Sequence, residues 1–453
     1  MARPLVVVAV LGATGTGKSR LALQLGRRFG GEIVSADSMQ IYQGLDIITN
    51  KVSAQEQNLC RHHMIGFVDP LVTNYTVLDF QKKATAIIDE ILASQKVPIV
   101  VGGTNYYVES LLWKVLFDTK GEAGGPVVAE EWKAGLERLE SEELHRRLRL
   151  VDPNMAARLH PHNKRKIIRS LQIFEQTGTP HSELLQRQQG EKGGGPLGGP
   201  LKYPNPCIFW LHAEPAVLET RLDQRVDQMM EAGLLEELRN FHRRYNQEKV
   251  AENSQDYQQG IFQSIGLKEF HQFLISEDQS PEEVRQRLLD QALQAFKTVT
   301  KRYARKQNKW VESRFLRRPG SHVPPVYGLD VSDLSQWDAA VLEPAVRIVE
   351  SFLQGQEPPV QPLRLEPGPA RDKQSCRLCE LCSRVIIGDI EWTGFFKESH
   401  SSRFIYTMIV TNSPEVPVPP VPPEEVPALR PEPPGCNLSV SGCRERRRTD
   451  GGR

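Results

Sequence analysis

Short apolar runs alternate with helix-spaced apolar residues over the first quarter of the chain. Val6–Leu11 is an uncharged, β-branched run that predicts a buried parallel strand. Glu32–Ala36 and Val97–Val101 predict two more strands, and His63–Val68 predicts a weaker one. Thr76–Gln95 carries apolar residues at the spacing of an amphipathic helix. This alternation predicts a doubly wound, parallel α/β sheet whose functional loops lie at the carboxyl ends of the strands.

The pattern changes after this region. Residues 115–190 are charged and mainly helical in pattern, and Gly190–Pro206 is a Gly/Pro-rich loop. Cys207–His212 then predicts a strand, which we expect to rejoin the first sheet. Ala216–Tyr245 and Glu282–Phe315 each predict a long helix.

The last part of the chain is poorer in apolar residues. Val323–Gln354 predicts a short strand and a helix, and Pro414–Pro434 is low-complexity sequence that we expect to be disordered. We therefore divide the chain into a phosphate-loop α/β core over 1–115, a helical insertion over 116–205, the return of the core with a long basic helix over 206–316, an extension over 317–355, a Pro-rich linker over 356–375, a Cys/His module over 376–400 and a disordered tail over 401–453.

Composition limits the classes of protein to consider. The chain has 453 residues, 39% of them hydrophobic, which is enough for two or three domains. Its net charge of +1 means that affinity for nucleic acid would have to come from local patches. No stretch approaches the ~18 apolar residues of a membrane span, and the N-terminus leads straight into the first predicted strand. We therefore expect no membrane anchor and no signal or transit peptide. Seven cysteines without the spacing of a disulfide framework favour a reducing compartment.

The first strand leads directly into a phosphate-binding motif. Gly12–Ser19, GATGTGKS, fits G-x-x-x-x-G-K-S/T, and we name it the phosphate-binding loop. Its glycines let backbone N–H groups point at one anion, Lys18 adds a positive charge, and the Ser19 hydroxyl can bind Mg²⁺. A helix predicted over Ser19–Phe29 directs its positive end at the same place. The motif predicts a ligand with a diphosphate or triphosphate group.

The acidic residue that most nucleotide hydrolases carry at the end of a strand is missing at the expected place. Val97–Val101 ends in Gly-Gly-Thr instead, which argues against a hydrolase but leaves a kinase open. Asp37 follows the second predicted strand, which we expect to lie beside the first. Its carboxylate could act as a general base on an acceptor held beside the phosphates, or it could simply cap the N-terminus of a helix.

Two basic clusters contain no acidic residue. In the helix predicted over Glu282–Phe315, four of the basic residues share one face and Tyr303 and Trp310 lie among them as candidate stacking residues. The cluster consists of Lys297, Lys301, Arg302, Arg305, Lys306 and Lys309. The second cluster is Lys164, Arg165, Lys166 and Arg169. For each cluster, the alternative interpretation is a charged helix face exposed to water. Two such clusters in a nearly neutral chain favour binding of a polyanion such as RNA.

Taken together, the motifs resemble those of the tRNA dimethylallyltransferases, also called tRNA isopentenyltransferases. The matching segments occur in the family's order across about residues 1–315: GATGTGKS (Gly12–Ser19), SADSMQIY (Ser35–Tyr42), GGTNYY (Gly102–Tyr107), KRKIIRSLQIFEQTG (Lys164–Gly178), RVDQMMEAGLLEE (Arg225–Glu237), QSIGLKEF (Gln263–Phe270) and KRYARKQNKW (Lys301–Trp310). The resemblance implies transfer of the dimethylallyl group of dimethylallyl diphosphate to N6 of the tRNA adenosine just 3′ of the anticodon.

The resemblance also implies roles for residues at the phosphate-binding loop. The diphosphate would be bound by Thr14, Gly15, Thr16, Gly17, Lys18 and Ser19, with Mg²⁺ at Ser19. Asp37 would take the proton from the adenine amine, Arg225 would help neutralise the departing diphosphate, and Thr104 would line the channel where donor and adenine meet. A diphosphate leaving group needs no hydrolytic acid, which fits the Gly-Gly-Thr strand end.

Further residues would contact tRNA. The target base must leave its stack, and Asp37, Ser38, Met39 and Gln40 would grip it, with the Gln40 amide pairing with its edge. The contacts to the rest of the anticodon stem-loop would come from Arg165, Lys166 and Arg169, from Gln263, Ser264 and Ile265, and from Lys301, Arg302 and Arg305 of the basic helix.

Eukaryotic members of the family carry a C-terminal Cys₂His₂ zinc finger of the matrin type. Cys379 and Cys382 match its first two ligands and His400 the last, but Phe395 stands where the first histidine belongs. A structural zinc site normally has four ligands, so three matching residues do not decide whether zinc binds. Cys376 is a candidate for the fourth ligand, although its spacing from the other two cysteines is tight.

Two other classes of protein remain open. A small-molecule or nucleoside kinase would transfer phosphate from ATP, and an RNA-binding protein with an inactive phosphate-binding loop would bind tRNA without using the donor. We expect a monomer in the cytoplasm, with the nucleus as an alternative, and mitochondria only if a longer isoform supplies a transit peptide.

Overall fold

The structure is a computed structural model, and it contains one large parallel sheet. It describes residues 4–114, 132, 135–195, 198–252, 254–277, 280–317, 323–363 and 365, together with the backbone of two short strands near the C-terminus. The chain divides into one unit over Met1–Glu391 and another over Trp392–Arg453, and only the first contains described residues. The strands are β1 (Val6–Gly12), β2 (Glu32–Ser35), β3 (His62–His63), β4 (Pro98–Val101), β5 (Asn205–His212), β6 (Val326–Asp330), β7 (Cys376–Leu378) and β8 (Val385–Ile387).

Helices connect the strands and cover both faces of the sheet. They are α1 (Lys18–Phe29), α2 (Ala54–Leu59), α3 (Val77–Ala93), α4 (Asn105–Leu112), α5 (Ser141–Val151), α6 (Pro153–Arg158), α7 (Lys164–Thr177), α8 (His181–Gly190), α9 (Pro215–Glu231), α10 (Leu234–Phe241), α11 (Gln247–Ala251), α12 (His271–Ser276), α13 (Glu282–Val311) and α14 (Glu343–Gln354). No helix among the described residues is long and apolar enough to cross a membrane.

The six-stranded sheet has the order β3-β2-β4-β1-β5-β6, and every neighbouring pair is parallel. β5 pairs with β1 along its whole length, so the expectation that the chain returns to the first sheet is confirmed. The expectation that β2 lies beside β1 is wrong, because β4 lies between them. β4 is uncharged and buried throughout, which suits a central position, whereas β2 begins with the charged residue Glu32.

Alternate residues of β1 face the two cores of a doubly wound fold. Val7 and Leu11 join the cluster with Phe80 of α3, while Val8 and Val10 join the cluster with α1 and α14 on the other face. Both faces of β1 are therefore buried, as its continuous apolar run predicts. The predicted α/β fold class is confirmed.

Two of the predicted helices differ from those in the structure. The helix predicted over Ala216–Tyr245 is interrupted after α9, because Gly233 takes a left-handed backbone conformation with φ 96°. The helix predicted over Glu282–Phe315 is present as α13 and continues as one wider turn over Glu312–Leu316. The weak strand prediction at His63–Val68 is reduced to the two residues of β3.

The helices between β4 and β5 have a hydrophobic cluster of their own. It contains Leu144 and Leu148 of α5 and Ile167 and Leu171 of α7. This cluster agrees with a helical insertion, although the limits 116–205 stay a prediction. A third cluster, around Phe241, Phe270 and Phe296, joins α10 to α13.

Candidate active site

The phosphate-binding loop has the curled backbone that its motif predicts. β1 ends at Gly12 and α1 begins at Lys18. Gly15 and Gly17 both have φ 83°, a conformation that side chains larger than hydrogen disfavour. Thr16 Oγ1 donates to the backbone oxygen of Ala13 at 2.8 Å, and Lys18 Nζ donates to the same oxygen at 2.7 Å. Thr14–Ser19 thus surround the N-terminus of α1, where backbone N–H groups attract an anion.

Three charged groups from distant parts of the chain gather at this loop. Burial, together with the nearby positive charge of Arg225, lowers the pKa of Lys18 to about 7, while the negative charge of Asp37 opposes the shift. Burial raises the pKa of the Asp37 carboxyl. The hydrogen bond from the Met39 N–H and the charges of Lys18 and Arg225 act in the opposite direction, but burial has the larger effect. Burial likewise lowers the pKa of Arg225, and Asp37 acts in the other direction. The structure therefore brings together the carboxylate and the two cations that the sequence analysis singled out.

Asp37 lies in a turn and caps no helix. Its Oδ1 accepts a hydrogen bond from the backbone N–H of Met39 at 2.9 Å, and the next helix, α2, begins only at Ala54. The helix-cap alternative for Asp37 is therefore wrong. Thr104 steadies the same turn, because its Oγ1 accepts from the backbone N–H of Ser38 at 3.0 Å and donates to Ser38 Oγ at 3.1 Å.

The Gly-Gly-Thr end of β4 has a steric explanation. A Cβ at Gly102 would lie 2.1 Å from the backbone oxygen of Ala36. A Cβ at Gly103 would lie 2.4 Å from Gln307 Nε2 and 3.5 Å from Asp37 Oδ2. The space in which a strand-end acid would lie is filled by the chain after β2, so Asp37 of that chain provides the carboxylate near the loop instead.

Gln307 is a site residue that the sequence analysis missed. It is 4% exposed on α13, where its Oε1 accepts from the backbone N–H of Thr14 at 2.8 Å and its Nε2 donates to the backbone oxygen of Gly103 at 2.9 Å. It therefore connects the phosphate-binding loop to the loop after β4. One signal was available in the sequence: Gln307 lies three residues after Ala304 and four before Val311, on the buried face of the helix.

Tyr303, named as a stacking candidate, lies inside the site. Its hydroxyl donates to the backbone oxygen of Gly103 at 3.2 Å. Burial raises its pKa well above the usual range. Its position next to Gln307 makes it part of the wall of the site.

Gln40, expected to pair with the adenine edge, uses its amide within the protein. Its Oε1 accepts from Ser35 Oγ at 2.9 Å, and its Nε2 donates to the backbone oxygens of Thr49 and Asn50 at 3.1 and 2.9 Å. In this conformation Gln40 braces the loop that follows Met39. Contact with adenine stays a prediction, and it would require exchange of these hydrogen bonds.

One face of the basic helix α13 is occupied by acidic residues of α9. Lys297, Lys301 and Arg305 form ion pairs with carboxylates that are also spaced four residues apart. The pairs and their N–O distances are Lys297 with Asp227 at 2.6 Å, Lys301 with Asp223 at 2.9 Å and Arg305 with Glu219 at 2.6 Å. Contact of Lys301 and Arg305 with tRNA stays a prediction. Arg302 lies on another face and is exposed.

The other predicted tRNA residues lie on different elements. Arg165 and Lys166 are exposed in the first turn of α7, whereas Arg169 is half-buried. Gln263 is exposed and Ile265 half-buried, and between them Ser264 is 3% exposed with no hydrogen-bond partner for its Oγ among the described residues. The predicted zinc ligands Cys379, Cys382 and His400 lie outside the described residues.

A phosphate-binding loop on a parallel sheet, with a buried carboxylate and two cations beside it, defines an enzyme that acts on a phosphorylated substrate. Residues 40–314 match the family model described as IPP transferase. The human tRNA dimethylallyltransferase is 64% identical over 402 residues, which is 88% of this chain and 86% of the relative. The mouse enzyme is 63% identical, over 88% and 85% of the two chains. The chain belongs to the IPP transferase family, the tRNA dimethylallyltransferases.

A solved structure agrees with this assignment. A eukaryotic dimethylallyltransferase acting on tRNA superposes with a TM-score of 0.72 at 30% identity, covering 85% of this chain and 92% of that one. The resemblance drawn from the sequence motifs is confirmed.

Proposed function

We propose that the chain transfers the dimethylallyl group of dimethylallyl diphosphate to N6 of the adenosine on the 3′ side of the tRNA anticodon. The observation that carries the proposal is the convergence of Lys18, Asp37 and Arg225 at the phosphate-binding loop, in a chain 64% identical to the human enzyme. A buried base beside two cations suits an amine acceptor and a diphosphate leaving group.

The reaction follows from the chemistry of these groups. The bond between the dimethylallyl carbon and the diphosphate oxygen breaks, the N6–carbon bond forms, and the N6 proton passes to Asp37. The adenine amine is a weak nucleophile because its lone pair is shared with the ring, so a positioned base helps. The raised pKa of Asp37 makes its carboxylate a stronger base than one in water. Lys18 and Arg225 stabilise the charge that develops on the departing diphosphate.

A divalent ion fits this site as a partner of the diphosphate. The described residues contain no group of three His, Cys, Asp or Glu side chains able to hold a metal. Mg²⁺ would therefore be held by Ser19 Oγ and by diphosphate oxygens, as is usual for an ion that keeps few protein ligands. When bound, it neutralises part of the diphosphate charge.

We further propose that the enzyme acts on tRNA as a monomer in the cytoplasm. The loop, the base and both cations all come from one chain, which supports a monomer. The described cysteines Cys60 and Cys207 are buried and free, which fits a reducing compartment.

The deciding experiment incubates the protein with labelled dimethylallyl diphosphate, Mg²⁺ and total tRNA, followed by nucleoside analysis. Label in N6-(dimethylallyl)adenosine supports the proposal. Asp37→Ala should abolish transfer and leave tRNA binding largely intact, and near-normal transfer by this variant would remove Asp37 as the base. Phosphoryl transfer from ATP would instead favour a kinase, and tRNA binding without transfer an RNA-binding protein with an inactive loop.

A further inference from the structure

Two exposed aromatic side chains lie on α4 and α13. Tyr106 of α4 is 54% exposed and Trp310 of α13 is 36% exposed, with ring centroids 6.4 Å apart and the rings inclined at 68°. No other Phe, Tyr or Trp among the described residues is as exposed. Tyr106 follows Thr104, which holds the turn of Asp37, by only two residues. Trp310 lies on α13, which also carries Tyr303 and Gln307, so both rings belong to helices that contribute to the site.

The indole ring is held in place by a buried ion pair. Trp310 Nε1 donates to Glu109 Oε1 at 2.8 Å, and Glu109, which is 6% exposed, also accepts two hydrogen bonds from the Arg314 guanidinium at 2.9 Å each. A buried carboxylate needs such partners to offset its lost hydration. The ring is thus fixed before any ligand arrives, which reduces the entropy lost on binding.

Unpaired positive charge accompanies the aromatic pair. Arg302, Lys306 and Trp310 follow one another at four-residue spacing, so they share a face of α13 that differs from the face in ion pairs with α9. Arg302 and Lys306 are exposed and form no ion pair with the described residues. On the other side, Tyr106 is close enough to Arg169 of α7 to affect its pKa, which burial lowers. Aromatic rings surrounded by cations are typical of surfaces that bind single-stranded nucleic acid.

We propose that Tyr106 and Trp310 form a stacking platform for an unpaired nucleobase of the tRNA anticodon loop other than the target adenine, with Arg302 and Lys306 on the neighbouring phosphates. This inference rests on the proposed function, since it assigns a mode of recognition to the same substrate. Bases stack on aromatic side chains without regard to sequence, whereas phosphates are attracted by the cations. The platform adds affinity for the loop without taking part in the transfer.

The first test compares Tyr106→Ala with Tyr106→Phe in the full chain. Removing the ring should weaken binding of an anticodon stem-loop about 5- to 100-fold, while the phenylalanine variant retains most of the affinity because it keeps the ring. Leu150→Ala, a change at a 73% exposed residue of α5, is the matched surface control. The dissociation constant of dimethylallyl diphosphate should stay within about twofold in Tyr106→Ala, which separates a lost stacking contact from a distorted site.

The second test asks which nucleotide stacks there. Stem-loops with one abasic nucleotide at a time are titrated against wild type and Tyr106→Ala, in the manner of a double-mutant cycle. At the nucleotide that stacks on the platform, removal of the base should weaken binding to the wild-type protein. The same removal should cause little further loss of affinity in Tyr106→Ala, which already lacks the ring. Additive losses at every position, or unchanged affinity of Tyr106→Ala, would overturn the platform. Failure of wild type to modify an intact stem-loop would instead overturn the proposed function.

Discussion

The most direct consequence of the site's electrostatics is that donor binding should weaken as pH rises above neutrality. Lys18 has a pKa of about 7 in the free enzyme, because burial and Arg225 disfavour its charged form. The protonated amine is the form that attracts a diphosphate, and it is lost as pH rises through that value. Ionisation of the diphosphate itself acts in the opposite direction, so it cannot cause this weakening.

The size of the effect follows from the protonated fraction of Lys18. With a pKa of about 7, the amine is about half protonated at pH 7 and about 3% protonated at pH 8.5. Apparent affinity scales with the binding-competent fraction, so the dissociation constant of the donor should rise about 16-fold over this range. Asp37 should affect the acidic side of the pH profile of catalysis. There, kcat should fall as pH drops through the raised pKa of Asp37, because the base becomes protonated.

The assay measures the dissociation constant of dimethylallyl diphosphate by calorimetry, with Mg²⁺, in steps from pH 7 to 8.5. Lys18→Arg is the control, because its guanidinium stays charged and should remove the pH dependence even if affinity is lower. In Asp37→Asn, the dissociation constant of the donor should begin to rise at a lower pH, because the negative charge of Asp37 normally raises the pKa of Lys18. A constant affinity in wild type, or the same rise in Lys18→Arg, would refute the assignment.

Three further predictions concern stability, the loop contacts and the metal. Glu109→Gln should lower the free energy of unfolding in urea by about 3 kcal/mol or more, because it leaves the Arg314 guanidinium without a counter-charge, whereas Glu143→Gln at a surface ion pair should have a much smaller effect. Gln307→Ala should raise the KM for the donor about 10-fold by leaving the N–H of Thr14 without its acceptor, and a Gln307→Glu variant that restored normal KM would show that Oε1 is the atom that matters. Chelation should abolish transfer and added Mg²⁺ without zinc should restore it fully; a requirement for zinc would show that the module at 376–400 contributes to activity.

The sequence analysis predicted those parts of the site whose residues are close together along the chain. The phosphate-binding loop is contiguous, so its glycines and Lys18 can be recognised without knowledge of the fold. Asp37 was recognisable from its place after a strand, and Arg225 only through the family resemblance. The prediction of the sheet order was partly wrong because it placed β2 beside β1 from their order along the chain, whereas β4, a later strand, lies between them.

The contacts that the sequence did not predict join residues far apart in the chain. Lys301 and Asp223 are separated by 78 positions, and the basic run alone gave no sign that α9 carries acids at the same spacing. Gln307 lies 293 positions from Thr14. Its side chain carries no charge and matches no motif for catalysis, so only the folded position reveals its role.

These long-range contacts assign three separate tasks to three faces of α13. One face pairs with α9 and fixes the helix, a second carries Gln307 to the phosphate-binding loop, and a third presents Trp310 and its neighbouring cations to solvent. The ion pairs with α9 therefore fix a helix that contacts the phosphate-binding loop through Gln307 and exposes Trp310 on another face. In this chain, α13 therefore links the phosphate-binding loop to an exposed aromatic and basic face, and it is not a uniformly exposed basic surface.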